Sequence, residues 1–245
     1  MVRGQLRGIR GRQARPPGRR RRPADQADLQ AADAVAEMDD AVAVLVKDAD
    51  RDRWLATQYA PAALRPALFA VHALDLELAK VAATTTDAML GEIRLAWWRE
   101  RLVDLDAGQV PAQPVLRALA DLVLPRGVTG ATLAEFEDGW LALAAGDVAG
   151  HVKLRGAAIG AVTATLVGGD AVSGAALGEA WAAGEAARAG HEVAAPVFDR
   201  APAQLRWLAG LAALGMRDVA RGVPPEPRAT AGRQWVLLRA ALTGR

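Results

Sequence analysis

Carboxylates and guanidinium groups set into apolar, helix-forming sequence are the side chains here that can do chemistry. Asp75 and Glu77 stand in FAVHALDLELAKVAA, residues 69–83. Glu92, Arg94 and Arg99 stand in MLGEIRLAWWRERL, residues 89–102. Glu179, Glu185 and Arg188 stand in LGEAWAAGEAAR, residues 177–188. Carboxylate oxygens are hard ligands suited to Mg2+. Planar guanidinium forks bond carboxylate or phosphate. The same groups also make ordinary salt bridges between helices.

Spacing limits the combinations. Asp75 and Glu77 are two residues apart, so a straight helix points them in different directions, and they form no DxxxD or DDxxD face. Glu92 and Arg99 are seven apart and return to nearly the same face, which suits anchoring of neighbouring helices. Glu179 and Glu185 are six apart and lie on rather different faces. Glu185 and Arg188 are placed to interact locally. Trp97 and Trp98 are expected to pack rather than to touch a product. The chain has no cysteine, which excludes disulfide, zinc–thiolate and iron–sulfur sites. His72, His151 and His191 follow no metal-ligand spacing and are expected to be structural or surface residues.

Helices must position these groups. The sequence is alanine-rich, poor in β-branched residues and 52% hydrophobic, which favours an all-α fold with one sizeable core. The periodicity predicts one helix or two short ones over 24–50. It predicts further helices over 61–83, 87–105, 111–127, 129–146, 152–169, 174–190 and 200–222, and one at the C-terminus. Leu64, Leu68, Val71, Leu78 and Ala82 recur on one face of 61–83, with Asp75 among them. Pro61 and Pro66 favour a late start there. In the next helix Asp87 is the expected cap. Glu92, Leu95, Arg99 and Val103 share one side of it, Trp98 and Leu102 widen the buried surface, and Trp97 points elsewhere. Thr132 and Glu135 have capping-box spacing. Gly156 and Gly160 permit close helix packing. Only 14 residues separate Arg155 from Asp170, fewer than the roughly 20 that cross a bilayer.

The net charge of +2 hides two regions. Residues 1–24 hold nine arginines and no acid, and the rest holds 21 basic against 28 acidic side chains. The first 24 residues are expected to be a disordered basic tail, and residues 25–245 a single helical domain. Arg19–Arg22 suit phosphate groups of nucleic acid or anionic lipid, weakly and salt-dependently. A flexible tail is not a recognition domain, so no specific nucleic acid is expected. A peripheral membrane contact, a cytoplasmic location and a bacterial source complete these expectations.

YAPAALRPALFAVHALDLELAKV, residues 59–81, followed by MLGEIRLAWWRERL, resembles the squalene/phytoene synthase family. EPRATAGRQWVLLRAALTGR, residues 226–245, looks like the end of a divergent branch. The resemblance plausibly covers residues 41–245. It lies nearest a non-canonical branch that includes proteins similar to a phytoene-synthase-like complex I assembly factor. It implies an isoprenoid synthase-like helical bundle. Active members join two prenyl diphosphates, with Mg2+ held by aspartate-rich segments on opposite walls of a deep cavity. Mg2+ neutralises the departing diphosphate.

Against that pattern, Ala79, Lys80 and Ala83 fall at the first acidic cluster. On the second wall Ala182 and Glu185 match a glutamine and an asparagine. Arg188 keeps the arginine, while Ala189 and Val193 replace acids. The resemblance therefore implies a non-canonical, catalytically inactive member, transferase-like in fold, that binds a lipid-like ligand or helps assemble a respiratory complex. The alternative is a divergent prenyltransferase that condenses isoprenoid diphosphates. Asp75, Glu77, Glu92, Glu179 and Glu185 would then contact metal or ligand, Arg94, Arg99 and Arg188 would hold diphosphate, and Mg2+ would be the cofactor.

Overall fold

The computed structural model describes residues 41–245 except Thr86 and Ala195. The readings for residues 1–40, including the basic tail, lie outside the described residues. Within them the fold is all-α, with no β-strand. Helix α1 covers residues 41–49. It is followed by α2 (Arg51–Thr57), α3 (Arg65–Thr84), α4 (Ala88–Leu105), α5 (Pro114–Leu122), α6 (Gly130–Ala134), α7 (Phe136–Ala144), α8 (Val148–Leu166), α9 (Ala171–Arg188), α10 (Arg206–Arg221) and α11 (Ala231–Thr243). Short 3-10 turns precede α3 and α10 and follow α5.

Local chemistry fixes the boundaries. Pro66 sits in the first turn of α3, where its missing N–H costs nothing. Asp87 caps α4 by accepting from the Leu90 N–H at 3.1 Å, as its position predicts. The segment 129–146 departs from expectation: it divides at Glu135 into α6 and α7. Its cap is Thr129, which accepts from the Thr132 N–H at 3.1 Å, rather than Thr132 itself. RDRWLAT, for which no helix was expected, forms α2 because Asp50 accepts from the N–H groups of both Asp52 and Arg53.

The core lies where α3 is enclosed by its neighbours. From Ala67 to Asp75 every residue of α3 is buried, so burial wraps the helix instead of marking one stripe. Ala82, expected on the buried face, is exposed, while Val81 beside it is buried. On α4 the buried stripe is Leu95, Trp98, Leu102 and Leu105. Glu92 and Val103 are exposed, which shifts the face from the expected one. Trp97 turns outward against the edge of Trp98.

Close approach of α7, α8 and α9 is built on glycine. A Cβ on Gly139 would stand 2.6 Å from the Arg155 Cβ, and one on Gly156 would stand 2.6 Å from the Glu179 Cα. Both are far inside van der Waals contact. Small residues on either side of Arg155 thus let the helices close around its side chain. Among the described residues no helix is long and apolar enough to cross a membrane.

Candidate functional site: a buried charge network around Asp75

Asp75 is fully buried in the middle of α3. The Arg155 guanidinium clasps it from α8, donating Nε to Oδ1 at 2.7 Å and Nη2 to Oδ2 at 2.6 Å. Arg53 of α2 donates Nη1 to Oδ2 at 2.8 Å, and the Trp140 indole N–H reaches Oδ1 at 3.2 Å. Four donors therefore saturate one carboxylate. Burial pushes the Asp75 carboxyl up, but Arg155 and Arg53 outweigh it and hold the group well below the usual carboxylate range.

Indole faces complete the packing. The Arg155 guanidinium carbon lies 4.8 Å from the Trp140 ring centroid and 4.6 Å from that of Trp181. Arg53 lies 4.5 Å from the Trp181 centroid. A desolvated cation over an aromatic face is worth about 2 kcal/mol, so the two tryptophans help offset the cost of burying these charges.

The network extends outward. Asp50 accepts from Arg53 Nε at 2.9 Å and pairs with Arg228 Nη1 at 3.0 Å. Arg228 Nη2 donates to Glu185 at 2.6 Å. Burial raises the Glu185 carboxyl, but Arg228 and then Arg53 outweigh it and bring it down to about 2. Asp50 is pushed up, because burial there outweighs Arg53 and Arg228. A second cluster lies beside it. Arg233 donates to Asp52 at 2.8 Å and to both oxygens of Asp218 at 2.6 and 2.9 Å, and Arg188 reaches Asp218 at 3.4 Å.

A cavity of about 230 Å³ opens against the first cluster. Arg53, Arg155 and Arg228 line it with Asp50 and Glu185, and Asp75 stands directly behind. The three cations are balanced by three carboxylates. Ala79 on α3 and Ala189 just after α9 also line it. These are positions at which the family resemblance implies acids.

The residues singled out in the sequence separate in space. Asp75 and Glu185 join this network. Glu77 is half-buried beside Lys80 and lines a pocket with Trp97, Trp98 and the exposed Arg94, which is bonded to the Thr85 hydroxyl at 3.0 Å, away from Asp75 and Glu185. Arg99 ties α4 to Glu137 and Asp138 of α7. Glu92 is exposed, and Glu179 is half-buried on the wall of another pocket with Lys153 and Glu192. Arg188 belongs to the second cluster and also donates to the Glu226 carbonyl at 2.8 Å. The three candidate diphosphate arginines therefore do not converge.

Arg53, Arg155, Arg228, Trp140 and Trp181 were not singled out as site residues. Arg155 did carry a signal, as a lone guanidinium in the apolar run LRGAAIGAV. Arg228 lies in the C-terminal segment that carries the family resemblance. Nothing in one sequence marks their common destination.

The donor set does not fit Mg2+. Both oxygens of Asp75 and both of Asp50 already accept N–H groups. Among the three carboxylates, one Glu185 oxygen alone has no hydrogen bond among the described residues, far short of the octahedral oxygen set Mg2+ demands. Among the described residues no group of three or more histidine, aspartate or glutamate side chains is arranged to hold a metal.

Residues 46–140 match the family model for squalene/phytoene synthase. Over that segment the chain is similar to the squalene/phytoene synthase family. A human relative, the NADH dehydrogenase (ubiquinone) complex I assembly factor 6, is 28% identical over 94 residues. That match covers 38% of this chain and 28% of the human protein. The fold resembles that of a dehydrosqualene synthase crystallised with a ligand, at a TM-score of 0.54 and 18% identity over 86% of this chain and 84% of that one. The matched segment carries Asp50, Arg53, Asp75 and Trp140. Arg155, Trp181, Glu185 and Arg228 lie beyond it, so the network joins the matched segment to the rest of the bundle.

Proposed function

We propose that this chain is a non-catalytic member of the superfamily that uses its bundle as a binding scaffold, for a lipid-like ligand or in the assembly of another protein. The observation that carries this reading is the saturation of Asp75. Its four donors are the groups that would otherwise face a ligand's phosphates, and its oxygens are the ones that would otherwise face a metal. Ala79 and Ala189 on the cavity walls support it, since a methyl group ligates nothing.

Condensation of isoprenoid diphosphates asks for the opposite arrangement. Carboxylates must be free to hold Mg2+ on two walls, and cations must be free to receive diphosphate. Here each set neutralises the other. A part in assembling a respiratory complex follows the human assembly factor, and is proposed on a match to about a quarter of that protein's length.

The test is to incubate folded, full-length protein with Mg2+ and farnesyl or geranylgeranyl diphosphate, measuring released diphosphate and analysing lipid products. No release above the uncatalysed rate is expected. Release coupled to a condensed isoprenoid would overturn the non-catalytic reading.

A further inference from the structure

We propose that the cavity takes the hydroxyl end of an uncharged long-chain amphiphile, with the chain lying in the groove between α3, α7 and α4. This deepens the binding reading above and rests on it.

The head-group preference follows from hydrogen-bond bookkeeping. His151 lines the cavity, and its Nδ1 lies 2.7 Å from the Gly139 carbonyl oxygen. A carbonyl only accepts, so Nδ1 carries a proton. Burial first, and then Arg155, bring the ring down to about 4, so it is neutral at pH 7. Nε2 is therefore a lone-pair acceptor, and it has no partner among the described residues. Opposite in kind are Arg53 Nη2 and Arg155 Nη1, donors with no acceptor among the described residues. One group satisfies both kinds at once. A hydroxyl donates to Nε2 and accepts from a guanidinium. A phosphate ester brings negative charge toward Asp50 and Glu185 and offers Nε2 little to accept.

The tail follows from the helices. Leu76 and Ala79 of α3 line the cavity, and Ala82, further along the same helix, lines a second space of about 260 Å³. Leu143 is common to both, and Ala144 and Leu95 wall the second. Small or aliphatic residues of α3, α4 and α7 thus line most of the second space, which adjoins the polar end at Leu143 and has Thr85 and Asp87 also on its wall.

The experiment is binding of decan-1-ol and of decyl phosphate to the full chain, followed by tryptophan fluorescence and calorimetry. The probes share a tail and differ in the head. Decan-1-ol is expected to bind, and decyl phosphate to bind roughly tenfold or more weakly. Ala82→Trp fills the exposed end of the groove without touching the core, and is expected to weaken decan-1-ol roughly tenfold with an unchanged melting temperature. His151→Phe is expected to weaken decan-1-ol and leave decyl phosphate little changed. Decyl phosphate binding as tightly as the alcohol, an Ala82→Trp variant that binds normally, or no binding of decan-1-ol to folded protein would each overturn the proposal. Diphosphate turnover is a separate readout, so loss of decan-1-ol binding without turnover sinks the head-group inference and leaves the non-catalytic reading standing.

Discussion

Asp75 on α3 and Arg155 on α8, 80 positions apart in sequence, face each other as a buried two-point pair at 2.7 and 2.6 Å. Breaking such a pair from one side strands the other charge. Asp75→Ala is expected to cost about 3–5 kcal/mol, and Arg155→Met a similar amount. Replacing both, as Asp75→Leu with Arg155→Met, is expected to cost clearly less than the sum, because no lone buried charge remains. Urea unfolding of the four proteins in the cycle measures this.

Acid is expected to destabilise the fold through two histidines before it reaches the depressed carboxylates of Asp75 and Glu185. Burial, and then Arg53, hold His72 at about 3, and burial with Arg155 holds His151 at about 4. Both are near 6.5 in an unfolded chain. As pH falls below about 6.5 the unfolded state therefore takes up protons that the folded state refuses. Stability drops by at most about 1.4 kcal/mol per pH unit for each histidine. Both His72 nitrogens are buried without partners, and its ring meets the edge of Trp207. His72→Phe is expected to fold normally at pH 7 and to flatten the loss between pH ~6.5 and ~4 by about one proton. Stability curves across that range check the slope. The depressed Asp75 adds its own loss only at still lower pH, as it becomes protonated.

Much of the fold was legible in the sequence, and the site was legible only in part. Asp87 announced a helix start, Pro66 a late one, and Gly156 a close contact, because caps, rings and missing side chains act on their own neighbourhood. Hydrophobic periodicity located α3, and the family resemblance drew attention to Ala79 and Ala189, which line one cavity. Asp75 and Glu185 were visible as candidates, yet their partners were not. A salt bridge across 80 residues leaves no local signature. Arg94 and Arg99 drew notice as planar donors beside two tryptophans, and Glu92 with Arg99 through their spacing, but spacing on one helix does not say which face is covered. On α4 the covered face is that of Trp98.

That difference divides the tryptophan pair. Trp98 is 5% exposed and Trp97 is 42% exposed. Trp98→Ala is expected to lose about 3–5 kcal/mol as a cavity-forming change in the core. Trp97→Ala is expected to stay within about 1 kcal/mol, near the range of surface changes. Thermal or denaturant unfolding of the two variants is the check.

Glycine to alanine inside a helix ordinarily stabilises it by about 0.5–1 kcal/mol. Gly156→Ala is expected to do the reverse, costing about 1–3 kcal/mol, because the new methyl would meet the α9 backbone at Glu179. Backbone cannot rotate away as a side chain can. Gly108 has open space around a Cβ but a φ of +75°, so Gly108→Ala separates backbone strain from helix crowding when both variants are melted side by side.

The most direct test of the central claim, that this cavity spends its charges on itself, is the melting temperature of the full chain with Mg2+ and farnesyl diphosphate, added singly and together. A ligand that binds only the folded state raises the transition by mass action, by about 2.7 kcal/mol at a hundred times its dissociation constant. The expected result is no rise that needs both components. A rise of several degrees that appears only when Mg2+ and the diphosphate are present together would show that the carboxylates let go of their arginines to take metal, and would contradict the claim.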